Sequence, residues 1–110
     1  LLQSAEIKLN WMYYSNTFEA AMIICGYHLY RLFYTDRARY IRKAEGFIRI
    51  RSKRVIDGKV KRVKRQIRVR WDAAGICFRA SDNQRLPQYD LPLKSVQNKG
   101  YDIKSGQLCM

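Results

Sequence analysis

Apolar residues recur at helical spacing in the first third of the chain. They lie three or four residues apart and would share one face of a helix: Phe18, Met22, Cys25, Leu29 and Leu32 or Phe33. Asn16, followed three residues later by Glu19, is typical of a capped helix start, and Gly46 is a typical stop. The pattern predicts either one helix over residues 17–45 or a helix that breaks at Thr35-Asp36 and is followed by a second.

From residue 48 to residue 80 apolar and polar positions alternate with period two, which is typical of strands with one buried face. Asp57-Gly58 predicts a two-residue hairpin turn, because a type I′ turn needs positive φ at both positions. A second turn is predicted at residues 72–75. Counting outward from the two turns sets these residues opposite each other: Ile48 and Ile67, Ile50 and Arg65, Val69 and Phe78, and Trp71 and Ile76.

The two registers agree about the faces of the resulting three-stranded antiparallel meander. One face is expected to be apolar and to consist of Ile48, Ile50, Val63, Ile67, Val69, Trp71, Ile76 and Phe78. The other face is expected to carry eight basic residues: Arg49, Arg51, Lys53, Arg62, Lys64, Arg68, Arg70 and Arg79. The division weakens near the first turn, where Arg54 and Arg65 fall on the apolar side. Val55 and Val60 fall on the basic side there.

The predicted fold class is α+β. A long N-terminal helix packs on the three-stranded antiparallel meander within a domain of residues 1–80. Residues 81–110 are predicted to form an irregular, extended C-terminal tail that packs on, or trails from, the same domain. Residues 7–11 also alternate with period two and could form a strand, although the run is brief. A length of 110 residues with 47% hydrophobic content fits one domain with a core and excludes a disordered basic chain.

The net charge of +13 is confined to one part of the chain. Residues 37–70 hold 15 Lys or Arg against Glu45 and Asp57, whereas the basic and acidic residues elsewhere, seven of each, cancel. A basic balance confined to the predicted strands indicates a surface that meets anions. Charged strand faces are often merely solvated, but solubility alone does not require cations with almost no interleaved acid.

The sequence predicts a non-enzymatic module that binds nucleic acid through its basic sheet face, alone or within a larger assembly. Side chains along one face of a strand lie about 7 Å apart, and Arg binds phosphate through two parallel hydrogen bonds. Only Phe47 adds an aromatic ring at the margin of that face, which argues against recognition of single strands by base stacking. Duplex or structured nucleic acid, either DNA or RNA, is therefore the expected partner.

The same basic face would also suit a structural or scaffold subunit that docks on an acidic protein or on lipid headgroups at a membrane surface. In this alternative, residues 18–34 could form a membrane-embedded helix, because they are largely apolar and have aromatic and basic flanks. His28 and Arg31 interrupt the apolar run, which is also short for a membrane span. A helix that packs on the sheet is the stronger interpretation.

The sequence offers little for catalysis or for a cofactor. His28 is the single histidine, no Gly-rich phosphate loop is present and the acids are scattered, so no catalytic residue, metal or cofactor is expected. Cys25 and His28 lie three residues apart on the predicted helix, which is a weak match to zinc ligands. Cys25, Cys77 and Cys109 form no C-x-x-C pair, which predicts an intracellular, reducing compartment.

Overall fold

A five-stranded sheet and one α-helix dominate the structure. The computed structural model describes residues 6–34, 41–93, 101–102 and 107–108. The elements are, in chain order, β1 (Glu6–Tyr14), α1 (Phe18–Tyr34), β2 (Lys43–Ile56), β3 (Lys59–Asp72), β4 (Gly75–Ala80), a 3₁₀ turn (Pro87–Tyr89), β5 (Leu91–Pro92), β6 (Tyr101–Asp102) and β7 (Gln107–Leu108). The order of the main sheet is β1-β2-β3-β4-β5, and β6 and β7 form a separate two-stranded sheet.

The predicted architecture is wrong. β1 pairs with β2 in parallel, so the sheet is mixed and has five strands instead of three. The described residues contain one α-helix, which ends at Tyr34 and does not continue to residue 45, since β2 begins at Lys43. The alternation of residues 7–11 is short, and β1 is stabilised by a partner strand far along the chain, with Glu6 opposite Lys43. Local periodicity does not reveal such long-range pairing.

The start of α1 is tied to the sheet. Thr17 caps the helix, because its side-chain oxygen Oγ1 accepts a hydrogen bond of 3.1 Å from the backbone N–H of Ala20. Asn16, the expected cap, instead accepts a 3.1 Å bond at its backbone carbonyl from the N–H of Lys53 in β2. The predicted helix break at Thr35-Asp36 lies outside the described residues.

Both predicted hairpin registers are confirmed. Asp57 (φ 52°) and Gly58 (φ 74°) have the positive φ angles that a type I′ turn requires. The antiparallel pairings β2–β3 and β3–β4 bring together the residues that the two turns predicted: Ile48 and Ile67, Ile50 and Arg65, Val69 and Phe78, and Trp71 and Ile76. The structure therefore divides these three strands into an apolar and a basic face.

The core lies between α1 and the apolar face of the sheet. The helix buries one stripe of residues: Ala21, Met22, Cys25, Gly26, Leu29 and Phe33. The strands contribute Leu9, Tyr13, Ala44, Ile48, Ile50, Ile67, Val69, Trp71, Ile76 and Phe78. Phe33 stacks on Trp71 with ring centroids 4.8 Å apart and planes inclined by 10°. Because α1 lies on this face, the described structure leaves the opposite face of β2 and β3 open.

The segment after β4 folds back along that strand. Leu91 is buried and pairs with Ile76, and its carbonyl accepts a 3.0 Å hydrogen bond from the hydroxyl of Tyr34. This bond joins the end of α1 to the last strand of the main sheet. The division of the chain between residues 80 and 81 stays a prediction.

Gly46 lies where the backbones of β1 and β2 come close together. It lies within β2, so it does not end a helix as the sequence suggested. A Cβ atom at this position would overlap the carbonyl oxygen of Leu9 and lie 2.6 Å from the Leu9 backbone nitrogen. We expect Gly46→Ala to push the strands apart and lower the free energy of unfolding by about 3 kcal/mol, the upper part of the usual cost of overpacking. Urea unfolding of wild type and variant would measure this loss.

Gly58→Ala is the matched control. Gly58 has a positive φ of 74°, but no atom lies within 4 Å of a Cβ added there. Its replacement should therefore cost only backbone strain, about 1 kcal/mol. Hydrogen exchange of the β1 amides should become faster in Gly46→Ala alone, and unchanged exchange in that variant would contradict the close approach as the reason for glycine.

Tyr34 gives the fold a predicted dependence on alkaline pH. Burial raises the pKa of Tyr34 to about 12. An unfolded tyrosine ionises near pH 10, so the neutral phenol stabilises the native state below that pH. The contribution is lost as pH rises from about 10 to about 12.

Tyr34→Phe should lower the free energy of unfolding by about 1 kcal/mol at about pH 8, because it removes the bond to Leu91. The difference between wild type and variant should narrow at about pH 11, since only wild type then loses the phenol proton on unfolding. Urea unfolding at both pH values measures the change, and a constant difference would contradict it.

Candidate functional site

Eight basic residues lie on the sheet face opposite α1, and we call this set the basic face. It consists of all the residues that the sequence singled out: Arg49, Arg51 and Lys53 of β2; Arg62, Lys64, Arg68 and Arg70 of β3; and Arg79 of β4. Strand pairing fixes their positions, since successive side chains of a strand point to opposite faces. The fold thus gathers cations from three strands into one surface.

Cations face each other directly across the strands of the basic face. The opposed pairs are Arg51 and Lys64, Lys53 and Arg62, and Arg68 and Arg79. Such like-charge pairs destabilise a sheet by about 0.2–1 kcal/mol each. Arg70 alone has described acidic neighbours, with Glu45 opposite it and the Asp72 carboxylate 3.8 Å from its Nε. Among the described residues, no carboxylate forms an ion pair with the three opposed pairs.

One part of the basic face is concave. Four of its residues, Arg49, Arg68, Arg70 and Arg79, line a depression of about 740 Å³ together with Lys8, Glu45 and Phe47. An open sheet acquires such curvature from the twist of its strands. A concave cationic surface can contact a rounded polyanion over more of its area than a flat one can.

Arg51 lacks an acceptor for one of its donors. The residue is half-buried, and its Nε has no hydrogen-bond partner among the described residues. A buried N–H without an acceptor costs free energy.

β1 extends the basic face with side chains that the sequence did not indicate. The residues on this side of the strand are Lys8, Asn10, Met12 and Tyr14. The interpretation that Phe47 is the one aromatic residue there is wrong, because Tyr14, which is 50% exposed, shares the face. The Arg68 guanidinium lies 5.7 Å from the centre of the Phe47 ring. The alternation of residues 7–11 was the signal that could have placed these side chains.

β2 and β3 continue beyond the rest of the sheet as a two-stranded arm, residues 53–62. β1 pairs with β2 only as far as Arg51, and β4 pairs with β3 only as far as Ile67. Every residue of the arm is exposed. Val55 and Val60 face each other on the basic side and are 69% and 66% exposed. Neither side of the arm is buried against the core, so neither side requires apolar residues. This explains why the predicted division into an apolar and a basic face weakens here.

Arg65 lies on the apolar side of β3, where its side chain contacts the start of α1. Its guanidinium is 4.1 Å from the centre of the Phe18 ring, and Phe18 meets Tyr89 edge to face at 6.1 Å. A cation over an aromatic face is attracted by the quadrupole of the ring. Arg65 therefore stabilises the contact between helix and sheet and lies off the basic face.

The described residues contain no cluster of three or more His, Cys, Asp or Glu side chains that could hold a metal ion. Burial raises the pKa of the Cys25 thiol, which keeps it protonated in the core. His28 is exposed on α1, and its ring centre lies 5.4 Å from that of Tyr13. In the part of the chain that the structure describes, no helix has the length and apolar character needed to cross a membrane.

Comparison with known proteins adds no likeness to these observations. No family model, curated protein or solved structure matches the chain. The geometry of the basic face and of the arm is therefore the evidence for a function.

Lys64→Glu should stabilise the free protein by about 0.5–1 kcal/mol, because it replaces a like-charge pair with Arg51 by an attractive one. Lys64→Gln removes the repulsion without adding attraction, and it should give a smaller gain. Urea unfolding at low salt would measure both variants. The gains should shrink in about 1 M salt, where screening acts over about 3 Å. Unchanged stability of both variants at low salt would contradict the inferred repulsion.

Proposed function

We propose that this chain is a non-enzymatic nucleic-acid-binding module that holds duplex or structured nucleic acid against the basic face. The observation that carries the proposal is the set of three opposed cation pairs on one sheet face, one of which, Arg68 and Arg79, lines the depression. These pairs destabilise the free protein, and a polyanion would relieve all three at once. Solubility alone would be served by interleaved charges of both signs.

The spacing of the basic face suits a phosphate backbone. Neighbouring side chains on one strand face lie about 7 Å apart and neighbouring strands about 4.8 Å apart, so the cations form a regular array. The guanidinium groups of the basic face can each bind phosphate through two parallel hydrogen bonds. Tyr14 and Phe47 are not opposite each other in the strand pairing, so they form no continuous stacking platform. This arrangement favours contacts with backbone over stacking on single-stranded bases.

A structural or scaffold subunit is the competing proposal, since an acidic protein or lipid headgroups would relieve the same cations. Size-exclusion chromatography of nuclease-treated material separates the two. Bound material that disappears on treatment supports nucleic acid, whereas a protein or lipid partner that persists supports docking. The predicted reducing, intracellular location fits both proposals.

If about six residues of the basic face contact phosphates, log K for a labelled duplex should fall with log salt at a slope near −5. Charge reversal of four of them should abolish most of the binding and reduce the slope by about four. The four are Arg49, Arg51, Lys64 and Arg70. Fluorescence anisotropy across a salt series measures both effects. Binding that ignores salt, or that survives the fourfold reversal, would overturn the proposal.

The control for this prediction uses two double variants with the same change in charge. One replaces Arg49 and Arg70 on the basic face by Glu. The other replaces Arg31 of α1 and Arg42, which precedes β2, by Glu. Arg31 and Arg42 are both exposed, and they belong to neither the basic face nor the arm. Only the first double variant should weaken binding strongly. Equal weakening would show that total charge, and not the basic face, determines affinity.

A further inference from the structure

We infer that the arm, residues 53–62, enters the major groove of B-form DNA and places Val55 and Val60 against the edges of base pairs. The inference rests on the proposed function and narrows the ligand of the same surface from duplex or structured nucleic acid to B-form DNA. Three properties of the arm carry it: its dimensions, its charge and its exposed valines.

The dimensions of the arm fit a major groove. Beyond Arg51 and Ile67 the sheet is only two strands wide. A two-stranded ribbon fits the major groove of B-form DNA, which is about 12 Å wide and about 8.5 Å deep, whereas the minor groove is about 6 Å wide. The four residue pairs from Lys53–Arg62 to Ile56–Lys59 extend about 10 Å before the turn, so the arm can lie along the groove with one side against its floor. The major groove of A-form RNA is too deep and narrow for side chains to read.

The charge of the arm complements the walls of such a groove. Cations lie on both sides of the arm: Lys53 and Arg62 on the side of the basic face, and Arg54, Lys59 and Lys61 on the other. Asp57, in the turn, is the single acid of residues 53–62. With the valine side against the groove floor, β2 and β3 each lie along one wall of the groove. Both strands carry cations, Lys53 and Arg54 on β2 and Lys59, Lys61 and Arg62 on β3, so their long side chains can contact the phosphates of both walls.

Val55 and Val60 can make apolar contacts with bases, which binding to phosphates alone does not require. Val55 and Val60 form a directly opposed pair, lie outside the buried core and are largely exposed. The C5-methyl group of thymine is the apolar feature on the major-groove edge of a base pair. The valine pair shares the side of the basic face, so the groove floor and the phosphates would be contacted by one continuous surface.

The experiment compares a labelled A·T-rich DNA duplex with an RNA duplex of the corresponding sequence at one salt concentration. Wild type should bind the DNA at least about tenfold more tightly, because the arm contributes only there. The double variant Val55→Thr, Val60→Thr keeps β-branched residues, so the strand preference of the arm persists. It should weaken DNA binding about fifteenfold, on the order of fourfold for each of the two methyl groups replaced. RNA binding and the salt slope should not change, since the valines contact no phosphate.

Two controls keep the test independent of the stability of that variant. Replacing thymine by uracil in the DNA probe removes the methyl groups without touching the protein. This probe should bind wild type more weakly, by a similar factor, and should affect the double variant little. Ile24→Thr alters an exposed β-branched residue on α1 and should leave DNA binding unchanged.

The outcomes separate the inference from the proposed function. If neither duplex binds, the proposed function fails and the inference fails with it. If both duplexes bind equally, and neither the double variant nor the uracil probe changes the affinity, the basic face binds without the arm. The inference is then overturned while the proposed function stands. A preference for the RNA duplex would overturn the inference as well.

Discussion

The packing of α1 on one face of the sheet is the contact on which the rest of the molecule depends. α1 connects two parallel neighbours, β1 and β2, and parallel neighbours require a crossover that passes over the sheet. The buried side chains of α1 and of the strands hold β2 and β3 in one orientation. The alternation of side chains along each strand then gives every second residue to the opposite face, where the sequence places its cations. The basic face is therefore a consequence of where the helix packs.

The opposed cations of the basic face lower the stability of the free protein, and the proposed binding of nucleic acid would offset that loss. Three opposed cation pairs cost about 0.6–3 kcal/mol in all, and the upper part of that range is substantial beside the roughly 5–15 kcal/mol of net stability of a typical domain. Broken local rules of this kind are typical of functional sites. Arg65 shows the contrast, because its guanidinium is stabilised by the ring of Phe18 within the protein itself. On the basic face, by contrast, Arg51 faces Lys64 and Lys53 faces Arg62, so cation stands opposite cation.

Turn chemistry is local, and so the two hairpins could be predicted from the sequence. Asp57-Gly58 and the turn at residues 72–75 determine two registers, and the registers determine which eight cations share a face. β1 could not be predicted in the same way, since its pairing joins residues far apart in the chain. Gly46 illustrates the difficulty: after a helical pattern a glycine suggests a stop, whereas its real neighbour is the backbone of Leu9. The place of Tyr14 on the basic face follows from β1 and was missed with it.

The arm explains why the sequence pattern breaks down where it does. Alternation reports on faces only where one face is buried, and around Val55 both sides of the hairpin are in solvent. A two-stranded hairpin is marginally stable alone, so this one depends on its type I′ turn, its paired valines and the sheet at its base. The bond from Lys53 N–H to the Asn16 carbonyl extends that anchorage to the start of α1. A break in an otherwise regular pattern, next to an Asp-Gly turn, is thus itself a signal for a hairpin that leaves the core.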